Sequence, residues 1–180
     1  TKVSLSDCDI LSPEFLWRDI DVTINHCSLT SEYAFFEDRK VQIDQLTMNG
    51  KYSFQYVQGG EIKNSELHTK DAFWHSENLT VRDSLIDGEY LGWYSKNLRL
   101  VHCHIKGTQP LCYCQGLVLE DCTMENADFA FEYSDVTADI KGSILSVKNP
   151  RSGKIVADSI GEVILKDSKY PSTCQIVIRS

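Results

Sequence analysis

The side chains best suited to proton transfer stand near the middle of the chain. Asp71 and His75 lie four residues apart, with Lys70 beside the first and Glu89 further on. A carboxylate within reach of an imidazole can move a proton to or from a substrate, so Asp71, His75 and Glu89 are the catalytic candidates. A solvated face of mixed charge accounts for the same residues without any chemistry. A second constellation, His102-Cys103-His104 with Cys112-x-Cys114, has the residue types of a metal centre. A tetrahedral ion needs four ligands converging at about 2.0–2.3 Å, whereas on a strand Cys103 points one way and both histidines the other. No metal site and no cofactor are expected. The chain has no G-x-S-x-G, no phosphate-binding glycine loop and no H-E-x-x-H.

The third group is aromatic. Tyr33, Tyr52, Asp71, Tyr90, Gln109 and Asp128 recur every 19 residues, and Glu37, Tyr56, His75, Tyr94, Tyr113 and Glu132 repeat that interval four positions later. Both columns contain charges, so both should face solvent. The candidate binding residues are therefore Tyr33, Tyr52, Tyr56, Asp71, His75, Tyr90, Tyr94 and Tyr113.

What must position these residues is the repeat itself. Val3, Val22, Val41, Gly60, Leu79, Leu98, Leu117, Val136 and Ile155 are spaced by 19, and Leu5, Ile24, Ile43, Ile62, Val81, Leu100, Leu119, Ala138 and Ala157 follow two positions on. Cys8, Cys27, Leu46, Ser65, Ser84, Cys103 and Cys122 form a third column, and Ile10, Leu29, Met48, Leu67, Ile86, Ile105 and Met124 a fourth. Within one repeat the pattern is apolar-x-apolar, a break, small-x-apolar, a break, then the aromatic stretch. Such short alternation is a strand signal, with no 3.6-residue period anywhere.

Three short strands per coil, stacked at ~4.8 Å, make an all-β, single-stranded, right-handed parallel β-helix of about nine coils, a rod of roughly 40 Å. Left-handed helices of hexapeptide repeats use 18 residues per coil and pentapeptide-repeat proteins 20; 19 fits neither. Two columns supply corners: Asp21, Lys40, Gly59, Asn78, Asn97, Gly116 and Asp135, then Ser12, Ser31, Gly50, Thr69, Gly88, Gly107 and Asn126. Many of these tolerate the left-handed backbone of a sharp corner.

The coils are expected over residues 1–154, with a last coil and a C-terminal cap over 155–180, because Asn149-Pro150, Ser152-Gly153 and Tyr170-Pro171 interrupt the register. All of it reads as one domain. The absence of a cap before Val3 suggests a missing N-terminal part.

Strict alternation on the third strand has an awkward consequence. If the tyrosine columns face out, so do Phe35, Phe54, Phe73 and Leu111, while Ala34, Phe36, Ala72, Trp74, Leu91 and Trp93 pack inward. A stacked row of exposed phenylalanines would exceed the few hundred Å² of apolar patch normal on a monomer. Either a bend or bulge turns both sets inward, or the row is an aromatic face for a ligand.

Composition narrows the partners. Lys and Arg number 18 against 26 Asp and Glu, a net charge of -8, which repels phosphate backbones and anionic lipid. Nucleic acid and membrane are thus not expected partners. No apolar run approaches the ~20 residues that span a bilayer, nothing at the start reads as a signal peptide, and the expected compartment is the cytoplasm. Seven cysteines leave at least one thiol unpaired, and the stacked ones read as small core hydrophobes.

The segments Tyr52-Ser53-Phe54, Thr69-Lys70-Asp71-Ala72-Phe73-Trp74, Gly88-Glu89-Tyr90-Leu91-Gly92-Trp93 and Phe131-Glu132-Tyr133-Ser134 carry a resemblance. From Glu32 through Ser134 the chain resembles an uncharacterised bacterial family known only as a domain of unknown function. The resemblance implies a pectin-lyase-like right-handed β-helix and implies no activity. Lyases and polygalacturonases of that superfamily use clustered Asp with Arg, Lys or His; Arg82 and Arg99 have no paired aspartates stacked beside them, so that chemistry is not carried over. Three functions stay open. The first is a non-enzymatic binding module using the aromatic face, for an oligosaccharide or another protein chain. The second is a carbohydrate-active lyase or hydrolase. The third is a structural rod that self-associates through an uncapped coil end.

Overall fold

A computed structural model describes all 180 residues as a parallel β-solenoid without helix, and no helix is therefore long and apolar enough to cross a membrane. The vertical files are those of the repeat. Val22 pairs with Val41, Val41 with Gly60 and Gly60 with Leu79; Arg99, next to Leu98, pairs with Thr80. Ile24, Ile43, Ile62 and Val81 stack beside them, and both files are buried in one continuous core.

The first two sides of the coil form bent ribbons, as in Ile20–Ser31 and Arg39–Lys51. The bend is a file that sequence alone did not mark: Asp7, His26, Gln45, Asn64, Asp83, His102 and Asp121 all have φ between 49° and 56°. The corner before the anchors Val22 to Leu117 is left-handed too, from Asp21 (59°) through Lys40, Gly59, Asn78 and Asn97 to Gly116 (61°), whereas Asp135 in the same column is not. The second corner column differs. Only Gly107 and Asn126 in it have positive φ; at Gly50 a Cβ would lie 1.8 Å from the Ser31 carbonyl oxygen, so close approach excludes a side chain there.

The third side is a strand only in the first coils, at Glu14–Trp17 and Tyr33–Phe36. From Tyr52 onward every second residue is left-handed: Tyr52, Phe54 and Tyr56 (48°, 60°, 58°), then Asp71, Phe73 and His75 (53°, 63°, 55°), then Tyr90, Gly92 and Tyr94 (56°, 73°, 61°). The backbone hydrogen bonds give the reason. Tyr52 and Tyr56 donate their amides to the next coil, at Lys70 and Trp74, while Phe54 between them donates to Ala34 of the previous coil. Asp71, Phe73 and His75 repeat the pattern to Glu89, Ser53 and Trp93. Turning successive peptide planes up and down satisfies amides toward both neighbours, and left-handed φ is the cost.

This geometry overturns the strict alternation expected of the third side. Phe35, Phe54, Phe73 and Leu111 are fully buried, together with Ala34, Ala72 and Leu91. Phe36, Trp74 and Trp93, expected inside, lie half-buried on the outer surface. The phenylalanines stack down the core, with ring centroids 4.7 Å apart for Phe35–Phe54 and 5.1 Å for Phe54–Phe73. Gly92 interrupts that file and Leu111 fills the space, since a Cβ on Gly92 would meet its Cδ2 at 2.7 Å.

The register changes near the C-terminal end. Val136 pairs with Gly153 and Ala138 with Ile155, a step of 17 residues, so Ile155 does not lie over Val136 as the 19-residue count expects. Ile155 then pairs with Ile176, and Ile144 with Ile160. All seven cysteines are unbridged, five of them buried.

One carboxyl is sealed in the core. Asp38 is fully buried; its Oδ1 accepts the Asp19 amide at 2.8 Å and its Oδ2 has no partner. Burial above all, with repulsion from Asp19 opposing the help of that backbone bond, pushes its pKa from 3.8 up to about 7. The folded chain thus holds a proton that the unfolded chain releases near pH 4. Stability from this group is complete below about pH 4 and is lost as pH rises through about 7. Asp38→Asn retains an acceptor for the Asp19 amide but cannot ionise. It should flatten the fall in unfolding free energy between about pH 4 and 7, measured by denaturant titration at several pH values; an unchanged slope would mean that Asp38 titrates normally. Phe54→Ala should cost ~3–5 kcal/mol in the same assay, and a loss below about 1 kcal/mol would contradict the stacked core.

Candidate binding face

Three outward files cover the third side. Tyr33, Tyr52, Asp71, Tyr90 and Gln109 form the first; Trp17, Phe36, Gln55, Trp74 and Trp93 the second; Tyr56, His75, Tyr94 and Tyr113 the third. From Phe54 onward, each inward residue in the Phe54 file and the outward residues two positions to either side are all left-handed, as at Tyr52, Phe54 and Tyr56.

The third file is a continuous stack. Tyr56–His75, His75–Tyr94 and Tyr94–Tyr113 have centroids 4.8, 5.0 and 4.8 Å apart, with planes within 10° of parallel. It continues through Tyr133, tilted at 5.9 Å from Tyr113, to Tyr170, edge-on at 5.8 Å. Tyr133 takes this place rather than Glu132, which the 19-residue count assigns to it. The amide of Phe131 bonds to Pro110 where that of Leu111 bonds to Leu91, so one extra residue has entered the coil. By the same slip Phe129, not Asp128, follows Gln109. Glu132 turns instead to Lys148, at 3.0 Å. The 20-residue interval between Tyr113 and Tyr133 was the available signal in the sequence.

The middle file has a structural duty. Alternating peptide planes leave the carbonyls of Asp71, Tyr90 and Gln109 without backbone donors. Gln55 donates Nε2 to Asp71 at 3.0 Å, Trp74 donates Nε1 to Tyr90 at 2.6 Å, and Trp93 donates to Gln109 at 2.8 Å. Each side chain thereby reaches onto the next coil, and Trp74 and Trp93 stack at 5.2 Å. Trp93→Phe keeps most of the ring but loses the donor, and should cost about 1 kcal/mol. Thermal unfolding of the two proteins measures this; equal midpoints would show that water serves the Gln109 carbonyl as well.

The first file has a gap. Tyr33 and Tyr52 stack at 5.0 Å, but the next rung is Asp71 and the ring resumes at Tyr90, which meets Trp93 edge-on at 5.5 Å. Asp71, expected to face solvent because it is charged, is instead buried, with 9% of its surface exposed between the coils that carry Tyr52 and Tyr90; its carboxylate makes no hydrogen bond or ion pair, although its oxygens are not sealed from solvent. Burial raises its pKa, with Glu89 adding to the rise and Lys70 opposing it. Elsewhere charges are matched one coil apart: Arg82 with Glu61 at 2.8 Å, Arg99 with Glu120 at 2.7 Å, and Lys96 with Glu77 at 3.2 Å.

The candidate residues thus share one face but not one reaction centre. No side-chain hydrogen bond joins Asp71, His75 or Glu89; Asp71 stands in the first file, His75 between two tyrosine rings in the third, and Glu89 is exposed. Of the sulfur and imidazole set, Cys103, Cys112 and Cys114 are buried, His102 is exposed between Asp83 and Asp121 at 3.3 and 3.5 Å, and His104 bonds to Thr123 and Glu125. Sequence reasoning missed Trp17, Trp74, Trp93, Tyr133 and Tyr170 as surface residues. One surface concavity includes Tyr170, and another runs alongside the first file at Glu32 and Lys51, next to Tyr33 and Tyr52.

Residues 1–178 match the family model described as Protein of unknown function (DUF3737), well beyond the Glu32–Ser134 stretch that carries the resemblance. No curated protein matches the chain.

Proposed function

Because the chain belongs to the DUF3737 family, whose description carries no activity, we propose its function from its surface: a non-enzymatic binding module whose aromatic face docks an extended polypeptide. One observation carries this reading. The exposed aromatic strip runs without a break from Trp17 to Tyr170 and includes Tyr33, Tyr56 and Tyr94, each about two-fifths exposed. Strips of this kind on folded domains mark interaction sites, and Tyr and Trp are the residues enriched there.

The orientation of the rings favours polypeptide over oligosaccharide. Sugars stack on ring faces, but in the third file those faces are already occupied by neighbouring rings. Ring edges and phenol hydroxyls remain, one set per coil, at the ~4.8 Å spacing of β-structure. The competing reading is a carbohydrate-active enzyme of the pectin-lyase-like kind. It needs an acid and a base acting together, and the separation of Asp71 from His75 weighs against it. Seven unbridged cysteines support a cytoplasmic setting.

Selection of peptides from a displayed library tests the reading, with a glycan array and sedimentation alongside. Selected peptides should bind the wild type and lose at least about tenfold in affinity to the double variant Tyr56→Ala, Tyr94→Ala, whose folding is checked by its melting curve. Binding indifferent to both substitutions would overturn the proposal, as would glycan binding without peptide binding, or self-association that alone hides the face.

A further inference from the structure

The gap at Asp71 gives the polypeptide partner a chemistry, and this step rests on the binding-face reading. We propose that the rung between Tyr52 and Tyr90 is a receptor for an arginine side chain of the partner, the guanidinium entering between the two tyrosines above the Asp71 carboxylate.

The spacing comes first. Rings stacked face to face in consecutive coils stand 4.7 to 5.2 Å apart. Tyr52 and Tyr90 are two coils apart, so roughly 10 Å separates them. One planar group inserted midway would stand as far from each ring as neighbouring rungs stand from one another. A planar group therefore continues the stack.

Charge selects which planar group. Asp71 is nine-tenths buried, its carboxylate lacks any bonded partner, and its oxygens stay in touch with solvent. The charges acting on it are Lys70 and Glu89, neither of which has an ion-pair partner, while the Gln55 amide is engaged with the Asp71 backbone carbonyl. The local balance is two carboxylates against one ammonium, which calls for one more cation. Guanidinium is planar, stacks on aromatic faces, and matches a carboxylate with paired donors. The lysine ammonium is compact and strongly hydrated, and it would leave both ring faces uncovered. The raised pKa of Asp71 agrees with a carboxylate lacking its counter-ion.

The probes are hexa-arginine and hexa-lysine amides, which carry equal charge, titrated calorimetrically into the full chain. Hexa-arginine should bind at least about fivefold more tightly, and Asp71→Asn should bring it down to the hexa-lysine level. Asp71→Tyr should abolish the preference as well, by filling the rung with the residue that the same position carries in the coils on either side. Its melting temperature should not fall, so a loss of binding is not a loss of fold. The Tyr56→Ala, Tyr94→Ala variant, altered in another file, should keep the arginine preference. Equal binding of the two peptides, or an arginine preference that survives both Asp71 substitutions, would overturn the receptor. If library-selected peptides still depend on Tyr56 and Tyr94 in that event, the binding face stands and only the arginine assignment fails. If the preference holds while Tyr56 and Tyr94 are dispensable, the wider face fails instead.

Discussion

Every coil must hydrogen-bond to the one before it and the one after it, and this requirement shapes the rest of the molecule. On two sides the chain meets it as ordinary parallel strand. On the aromatic side it turns successive peptide groups in opposite directions, at the cost of left-handed φ at residues as bulky as Phe54 and Tyr56. Each such residue costs ~1 kcal/mol or more, and the compensation is local: stacked phenylalanines inside, and indole or amide donors outside for the carbonyls that the pattern leaves over.

Two kinds of surface follow. Along the strand sides, charges pair with opposites one coil away, and exposed pairs of this kind contribute at most about 1 kcal/mol each. They keep neighbouring coils compatible more than they hold them together. Along the aromatic side the tie between coils is stronger and directional, because Trp74 and Trp93 each both stack and donate. Asp71 obeys neither rule: it is a charged rung with neither a ring nor a matching cation.

Much of this was legible in the residues. A constant interval with apolar columns leaves little choice of architecture, and Val22, Val41 and Leu79 stand in file as their spacing requires. The outward placement of Tyr33, Tyr56 and Tyr94 was legible too, from the charged members of their columns. The sidedness of Phe54, Phe73, Trp74 and Trp93 was not. Inferring side from parity assumes pleated backbone, and nothing in these residue types announces left-handed φ at Tyr, Phe or His. The bend through His26, Gln45 and His102 escaped for the same reason. The slip beyond Tyr113 was visible in principle, but a single added residue is easily lost against a repeat that has held for several turns.

The change of step toward the C-terminal end gives the rod a direction. Its early turns share a perimeter of 19 residues, whereas the pairings beyond Val136 advance by 17 at Ala138–Ile155 and by 21 at Ile155–Ile176. Turns of unequal length cannot all extend one ladder in step, so backbone groups between the paired segments must find partners outside it. Unequal girth thus sets these last turns apart from a repeat whose earlier turns are interchangeable in length.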